Sequence, residues 1–320
     1  MQLLPYVCAA LLFGSARSQG ILTGSAATSA PTSPNTDQSL HKIRVAADLV
    51  QIPVTVCNQR NGFVAGLRPE HFKLYDDNTE QVITHFAIDD APVSVGLVLD
   101  ASSSMADKWK KMRQAVAAFL RTAKAEDEFF LVQFNYQVEL VVGMTRATKE
   151  LESHVMSKPP EGTTSLWDAI YFSIGEMRNA RNARKALVVV SDGGDNTSRH
   201  KLWEVRDALR QADLAVYAVG IFEPDASRSR SIEERVGPDL LRQITEDTGG
   251  QLFEVHRDSE TTEATSKIGV ALRNRYVLGY MPSTPKHDGR FHKVDLILVE
   301  PQMFPPLHAY WRRGYYAPPD

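Results

Sequence analysis

Two apolar runs constrain this chain more than anything else in it. VSVGLVLD (93–100) and ALVVVSD (186–192) are apolar without alternation, and each ends in an aspartate. A strand with one face in water alternates between apolar and polar residues. A strand covered on both faces does not. After the first run, Met105, Trp109, Met112, Val116, Phe119 and Leu120 fall at steps of three and four, the period of a helix. Strand-like FFLVQFN (129–135), QVELVV (137–142), LAVYAVGIF (214–222) and QLFEV (251–255) interleave with helical segments near 147–157, 165–178, 201–212, 238–247 and 259–273. Such alternation predicts right-handed crossovers. The fold class is α/β, a mostly parallel, doubly wound sheet with helices on both faces.

Segments of β character flank this run. In VQIPVTVC, Val50, Ile52, Val54 and Val56 alternate with Gln51, Pro53 and Thr55, as a half-buried strand does. Pro53 places that strand at a sheet edge or a bulge. NQRNG (58–62) reads as a turn, and FKLYDDNTEQVITHF as two short strands around Asp76-Asp77-Asn78. After Arg275 come YVLGYM (276–281), the turn PSTPKHDG, and a strand in which Val294, Leu296 and Leu298 alternate with Lys293, Asp295 and Ile297. Neither β piece is large enough to bury a face alone. The economical solution is one small β-sandwich made from both, with the α/β domain inserted between them. The expected organisation is a signal peptide over 1–19, a disordered linker over 20–41, sandwich over 42–90, the α/β domain over 91–275 and sandwich again over 276–320.

The signal peptide rests on an apolar stretch from Leu3 to Phe13 followed by the small residues Gly14, Ser15, Ala16 and Ser18, although no Lys or Arg precedes Arg17. The Ser, Thr, Ala and Pro of residues 19–40 read as linker. The expected location is therefore secreted, or periplasmic and cell-envelope. With Cys8 removed, Cys57 is left alone and has no intramolecular disulfide partner, so the core must hold the fold. Cys57 itself reads as a small buried hydrophobe. A net charge of −3 offers no footing for nucleic acid or an anionic membrane. No apolar run approaches the roughly 18–20 residues of a membrane span.

In open α/β sheets, ligands bind where loops leave the carboxyl ends of the strands. Three such loops carry oxygen-bearing residues: Asp100-Ala101-Ser102-Ser103-Ser104, Gly162-Thr163-Thr164-Ser165, and Ser191-Asp192-Gly193-Gly194-Asp195-Asn196. Alone, the first fits a helix N-cap, a serine nucleophile or a metal site. No GxSxG elbow occurs and no His has a supporting context for a hydrolase. DASSSM stands where a dinucleotide-binding turn needs glycines. The nine His show no HExxH pattern, which argues against zinc. A hard divalent cation, by contrast, takes oxygen ligands in near-octahedral geometry. Asp195 and Asn196 read as turn formers rather than as supports for metal ligands, Asp168 as a cap or packing residue of its helix, and Arg228, Arg230 and Arg235 as charges on a solvated loop rather than as a patch that steers an acidic partner.

The three loops together resemble the von Willebrand factor type A domain and its metal-ion-dependent adhesion site. That pattern is Asp-x-Ser-x-Ser after the first strand, a Thr in a Gly-Gly-Thr-like loop, and an Asp in a Thr-Asp-Gly-like loop. DASSSM, GTTSLWDAI and VVVSDGGDN match it in order and spacing, over about residues 92–275. Gly162-Thr163 replaces the glycine pair, and Ser191 replaces the threonine. The resemblance implies Asp100, Ser102, Ser104, Thr164 and Asp192 as metal ligands. Thr164 is preferred to Thr163 because it stands five residues before the Ala of Asp-Ala-Ile. It further implies hydroxyl ligation by Ser102, Ser104 and Thr164, with Asp100 and Asp192 acting partly through water. The implied ion is Mg²⁺, with Mn²⁺ or Ca²⁺ as alternatives. Short of anionic ligands, it would accept a carboxylate from another protein. The flanking GLRPEHFKLYDD and RYVLGY look like the β pieces around such domains in secreted bacterial proteins of acidobacterial type. The expected function is a secreted, adhesion-type protein-binding module, not an enzyme, whose partner donates an Asp or Glu. The rivals are a structural or assembly module whose metal only staples loops, and a metal-assisted hydrolase.

Overall fold

The computed structural model describes residues 49–155, 159–222, 232–283, 287–299 and 306–319. The expected signal peptide and linker, and Arg228 and Arg230, lie outside the described residues. Four strands come first: β1 (Val50–Asn58), β2 (Phe72–Asp76), β3 (Thr79–Gln81) and β4 (His85–Asp89). The α/β run follows as β5 (Val93–Asp100), α1 (Trp109–Leu120), β6 (Glu128–Phe134), β7 (Val138–Thr145), α2 (Thr148–His154) and α3 (Leu166–Glu176). It continues through β8 (Arg184–Ser191), α4 (Leu202–Gln211), β9 (Ala215–Ile221), α5 (Ile232–Asp247), β10 (Leu252–Val255) and α6 (Asp258–Arg273). The last strands are β11 (Arg275–Tyr280), β12 (Phe291–Leu298), β13 (Leu307–Trp311) and β14 (Gly314–Tyr316).

The two unbroken apolar runs lie side by side at the centre of a six-stranded sheet ordered β10-β9-β8-β5-β6-β7. All pairs are parallel except β7, which closes one edge antiparallel to β6. Every residue of β5 is buried, which is why its sequence has no polar phase. On one face, Val95, Leu97 and Leu99 pack with Met105, Met112, Val116 and Phe119 from the α1 side and Ile268 and Leu272 of α6. On the other, Val98, Phe130 and Val132 pack with Leu166, Trp167 and Ile170 of α3, Val205 and Leu209 of α4, and Leu241 and Ile244 of α5. Each such side chain contributes about 1.5–3 kcal/mol on burial. The apolar stripe of α1 begins earlier than the α-helix does, because Ser103–Lys108 first form a 3₁₀ turn that carries the fully buried Met105.

The flanking strands build two four-stranded sheets, β13-β1-β11-β4 and β14-β12-β2-β3. β1 pairs with β11, and β2 with β12, across more than two hundred residues of chain. Their inner faces share one core that includes Ile52, Val54, Phe72, Leu74, Tyr276, Leu278, Val294 and Trp311. Buried Tyr276 donates its hydroxyl to the Val64 carbonyl (2.8 Å), and Trp311 donates Nε1–H to the Val294 carbonyl (2.9 Å). The hairpin turn at Asp77-Asn78 has positive φ at both residues, the backbone that joins two strands through two residues. β1 lies inside its sheet rather than at the edge that Pro53 suggested. β13 pairs with β1 only from Val54 onward, so Pro53 itself has a strand on one side only. Cys57 is buried, and burial pushes its thiol up to about 11.

Candidate metal-binding site

The strand order dictates where a site can form. From β5 the chain moves to β6 and β7 on one side, then crosses back to lay β8 on the other. Loops leaving β5 and β8 therefore turn away from each other at their carboxyl ends, the topology at which open α/β sheets take ligands. Asp100 ends β5 and Asp192 directly follows β8, so both acids stand at that end of the sheet.

Asp100 is fully buried. Its Oδ1 accepts the Ser102 N–H at 3.0 Å, and its Oδ2 accepts the Ser191 hydroxyl at 2.6 Å. Ser191 Oγ in turn accepts the Gly193 N–H at 2.9 Å, so one hydroxyl holds both loops. Burial, and then the neighbouring Asp192 charge, push the Asp100 carboxyl up to about 7, against the hydrogen bonds from Ser102 and Ser191. Asp192 is also buried. Its Oδ1 accepts the Gly194 N–H at 3.3 Å, and its Oδ2 meets the Lys108 ammonium at 2.6 Å. Ser102 occupies the N-cap position of the 3₁₀ turn but makes no side-chain capping bond. Its Oγ lies 3.1 Å from Ser104 Oγ instead.

The third loop is laced to these two by main-chain bonds. Ser103 N–H donates to the Gly162 carbonyl (3.0 Å), and Glu161 N–H to the Ala101 carbonyl (2.9 Å). Gly162 has φ +78°, and a Cβ there would stand 2.4 Å from the Tyr136 ring. Thr164 is buried while Thr163 is exposed. Thr164 N–H donates to Asn196 Oδ1 (2.8 Å), and its carbonyl accepts the N–H groups of Asn196 (3.0 Å) and Thr197 (3.1 Å). All five expected residues thus gather at one end of the sheet. Asp100, Ser102 and Ser104 are joined directly, Asp192 through Ser191 and through its charge, and Thr164 through the backbone of its loop.

Two participants were not foreseen in these roles, and for a third the less favoured reading holds. Ser191, noted only as a replacement, holds Asp100. Asn196, read as a turn former, positions Thr164 from 32 residues away. Lys108 carried no signal at all. Asp168 does pack its helix, accepting the N–H groups of Arg199 and His200.

The donors are all oxygens, the choice of a hard cation. The 3.1 Å between the Ser102 and Ser104 hydroxyls matches the spacing of about 3.0 Å between adjacent ligands around an octahedral ion with bonds near 2.1 Å. The residues present fit a divalent metal. Among the described residues, the hydrogen-bond partners of Ser102, Ser104 and Ser191 include no histidine. A second group, Asp76, Asp77 and His292, has potential ligand atoms within 4.8 Å of one another. There His292 Nδ1 lies 2.8 Å from Asp77 and Nε2 3.0 Å from Asp288, so the ring ties the β2–β3 turn to β12.

A doubly wound sheet with hydroxyls and carboxylates converging at its switch point places these residues where open α/β sheets take their ligands. The chain belongs to the von Willebrand factor type A domain family, whose profile matches residues 94–267. It is similar to inter-alpha-trypsin inhibitor heavy chain H2 of Sus scrofa, 23% identical over 226 residues, covering 61% of this chain and 23% of that one. The Mus musculus heavy chain H2 is 23% identical over 253 residues, 68% of this chain and 26% of that one. The chain thus spans about a quarter of the length of these relatives. Among solved structures, the conserved hypothetical protein BatB from Bacteroides thetaiotaomicron is 17% identical with a TM-score of 0.45, covering 56% of this chain and 98% of that one. A von Willebrand factor type A protein from Catenulispora acidiphila is 12% identical with a TM-score of 0.48, covering 86% and 75%. Among the described residues, no helix is long and apolar enough to cross a membrane.

Proposed function

We propose that this domain is a secreted or cell-envelope protein-binding module that captures a partner's Asp or Glu side chain through a divalent cation. The ion is Mg²⁺, with Mn²⁺ or Ca²⁺ as alternatives, held by Asp100, Ser102, Ser104, Thr164 and Asp192. One observation carries the reading: two serine hydroxyls, 3.1 Å apart and unused as helix caps, stand beside two buried carboxylates. A bound divalent cation supplies an electron-poor coordination position for an incoming oxygen anion. Ser102 and Ser104 offer neutral lone pairs, which leave that demand unmet. Asp100 contributes charge from a position fixed by the Ser102 N–H and the Ser191 hydroxyl. Asn196 fixes the loop of Thr164.

Calorimetric titration with Mg²⁺ and Mn²⁺, paired with melting in EDTA, tests the site. The wild type should bind one ion, and Ser102→Ala should weaken binding at least tenfold while its EDTA melt falls by no more than the worth of the hydroxyl's hydrogen bond to Ser104, about 0.5–1.5 kcal/mol. Equal affinity in the variant refutes ligation by Ser102. A glutamate-bearing peptide that binds the Mn²⁺-loaded protein and is released by EDTA supports carboxylate capture. Partner binding that survives EDTA favours a structural role for the ion.

A further inference from the structure

Lys108 is the one group at this site that the metal reading does not account for. It ends the 3₁₀ turn Ser103–Lys108, and its side chain reaches the loop after β8. Its Nζ lies 2.6 Å from Asp192 Oδ2, with the lysine side chain 12% exposed and the carboxylate 4% exposed. Lysine stems commonly lie along a surface with the ammonium in water. This ammonium is instead withdrawn from water, a cost that only a close carboxylate offsets. Its neighbours on the same stretch behave in the ordinary way: Lys110 is exposed, and the Lys111 ammonium reaches the His256 carbonyl at 3.3 Å in an exposed contact. Lys108 therefore neutralises one of two adjacent buried acids. A divalent ion held by the same acids would sit a few ångströms from a like charge with little water between them. At that range the repulsion is large enough to change affinity by orders of magnitude.

We propose that Lys108 is a built-in competitor for the divalent cation. Its ammonium occupies Asp192 when the ion is absent and leaves when the ion binds, so Lys108 sets the metal affinity of the site. This rests on the metal-binding reading and goes beyond it. The tethered cation keeps Asp192 paired between metal-bound states. It also raises the concentration at which the ion, and with it a partner's carboxylate, is taken up.

Titration of wild type and Lys108→Gln with Mn²⁺ tests the proposal. The variant should bind at least tenfold more tightly, melt lower in EDTA, and regain more of its melting temperature on adding Mn²⁺. Equal or weaker Mn²⁺ affinity in the variant overturns the competition and leaves the metal site standing. Absence of Mn²⁺ binding in both proteins at millimolar concentrations overturns both readings. A measurement on the wild type alone covers a variant that fails to fold. Acetylation of Lys108 by an N-hydroxysuccinimide ester, followed by peptide mass spectrometry, should run several-fold faster in saturating Mn²⁺ than in EDTA. The exposed Lys124 serves as internal reference and should not change. An unchanged Lys108 rate overturns the proposal.

Discussion

Asp100→Asn separates the charge of the site from its shape. Asparagine keeps the volume and one oxygen to accept the Ser102 N–H, and its amide meets Ser191 Oγ where the carboxylate did. At most one charge-assisted hydrogen bond is lost, about 1.5–3 kcal/mol. The opposing effect is larger at alkaline pH. The carboxyl moves from 3.8 to about 7 on folding without metal, and each unit is about 1.4 kcal/mol. An ionised Asp100 thus costs the metal-free fold about 4 kcal/mol well above pH 7. Because the folded pKa lies above the unfolded one, folding favours the protonated form. That contribution is full below about pH 4 and is lost as pH rises through about 7. Between pH 5 and pH 8 the wild type gives up about 2–3 kcal/mol through this group and the variant none. In EDTA, Asp100→Asn should therefore gain roughly 5–10 °C on the wild type in relative melting temperature across that interval. With Mg²⁺ at a hundredfold excess over Kd, the wild type should recover about 2.7 kcal/mol, and the variant nothing. Scanning calorimetry at both pH values, with and without Mg²⁺, reads all of these. A gap between the two proteins that stays constant from pH 5 to pH 8 in EDTA, or a variant that still binds Mg²⁺, refutes the reasoning.

Gly193→Ala should both destabilise the protein by about 1–3 kcal/mol and weaken Mn²⁺ binding in a titration. Gly193 has φ +83°, and a Cβ there would meet the Gly237 carbonyl oxygen at 2.5 Å, so the loop bearing Asp192 has to shift. Asp127→Ala should cost about 3–5 kcal/mol in urea melts, because it leaves the buried Arg273 unpaired and the N–H groups of Val93 and Lys124 without their acceptor. Burial pushes the Asp127 carboxyl up, but the N–H groups of Lys124 and Val93 and the Arg273 guanidinium outweigh it and hold it below the usual range. Its stabilisation is therefore full above about pH 4 and is lost as pH falls through the lower folded value. The wild-type advantage over the variant should shrink in acid, and an advantage that grows there contradicts the assignment.

Much of this fold is legible in local sequence. VSVGLVLD and ALVVVSD leave no face for water, so each had to be a central strand, and the helical period from Met105 to Leu120 had to cover one of them. The chemistry of the three loops is equally local, since DASSS, GTTS and SDGG are each read within a few residues. Tertiary structure decided the rest. It placed β1 inside its sheet, because β13 arrives beside β1 only beyond Pro53. It turned Asn196 from a turn former into the residue that holds Thr164. It brought Lys108 onto Asp192, 84 residues away, although nothing in ADKWK distinguishes that lysine from Lys110 or Lys111. The physical reason is common to all three. Periodicity records how one segment divides its residues between water and core. The distance between two polar groups on different segments follows only from how the strands order themselves when the core closes.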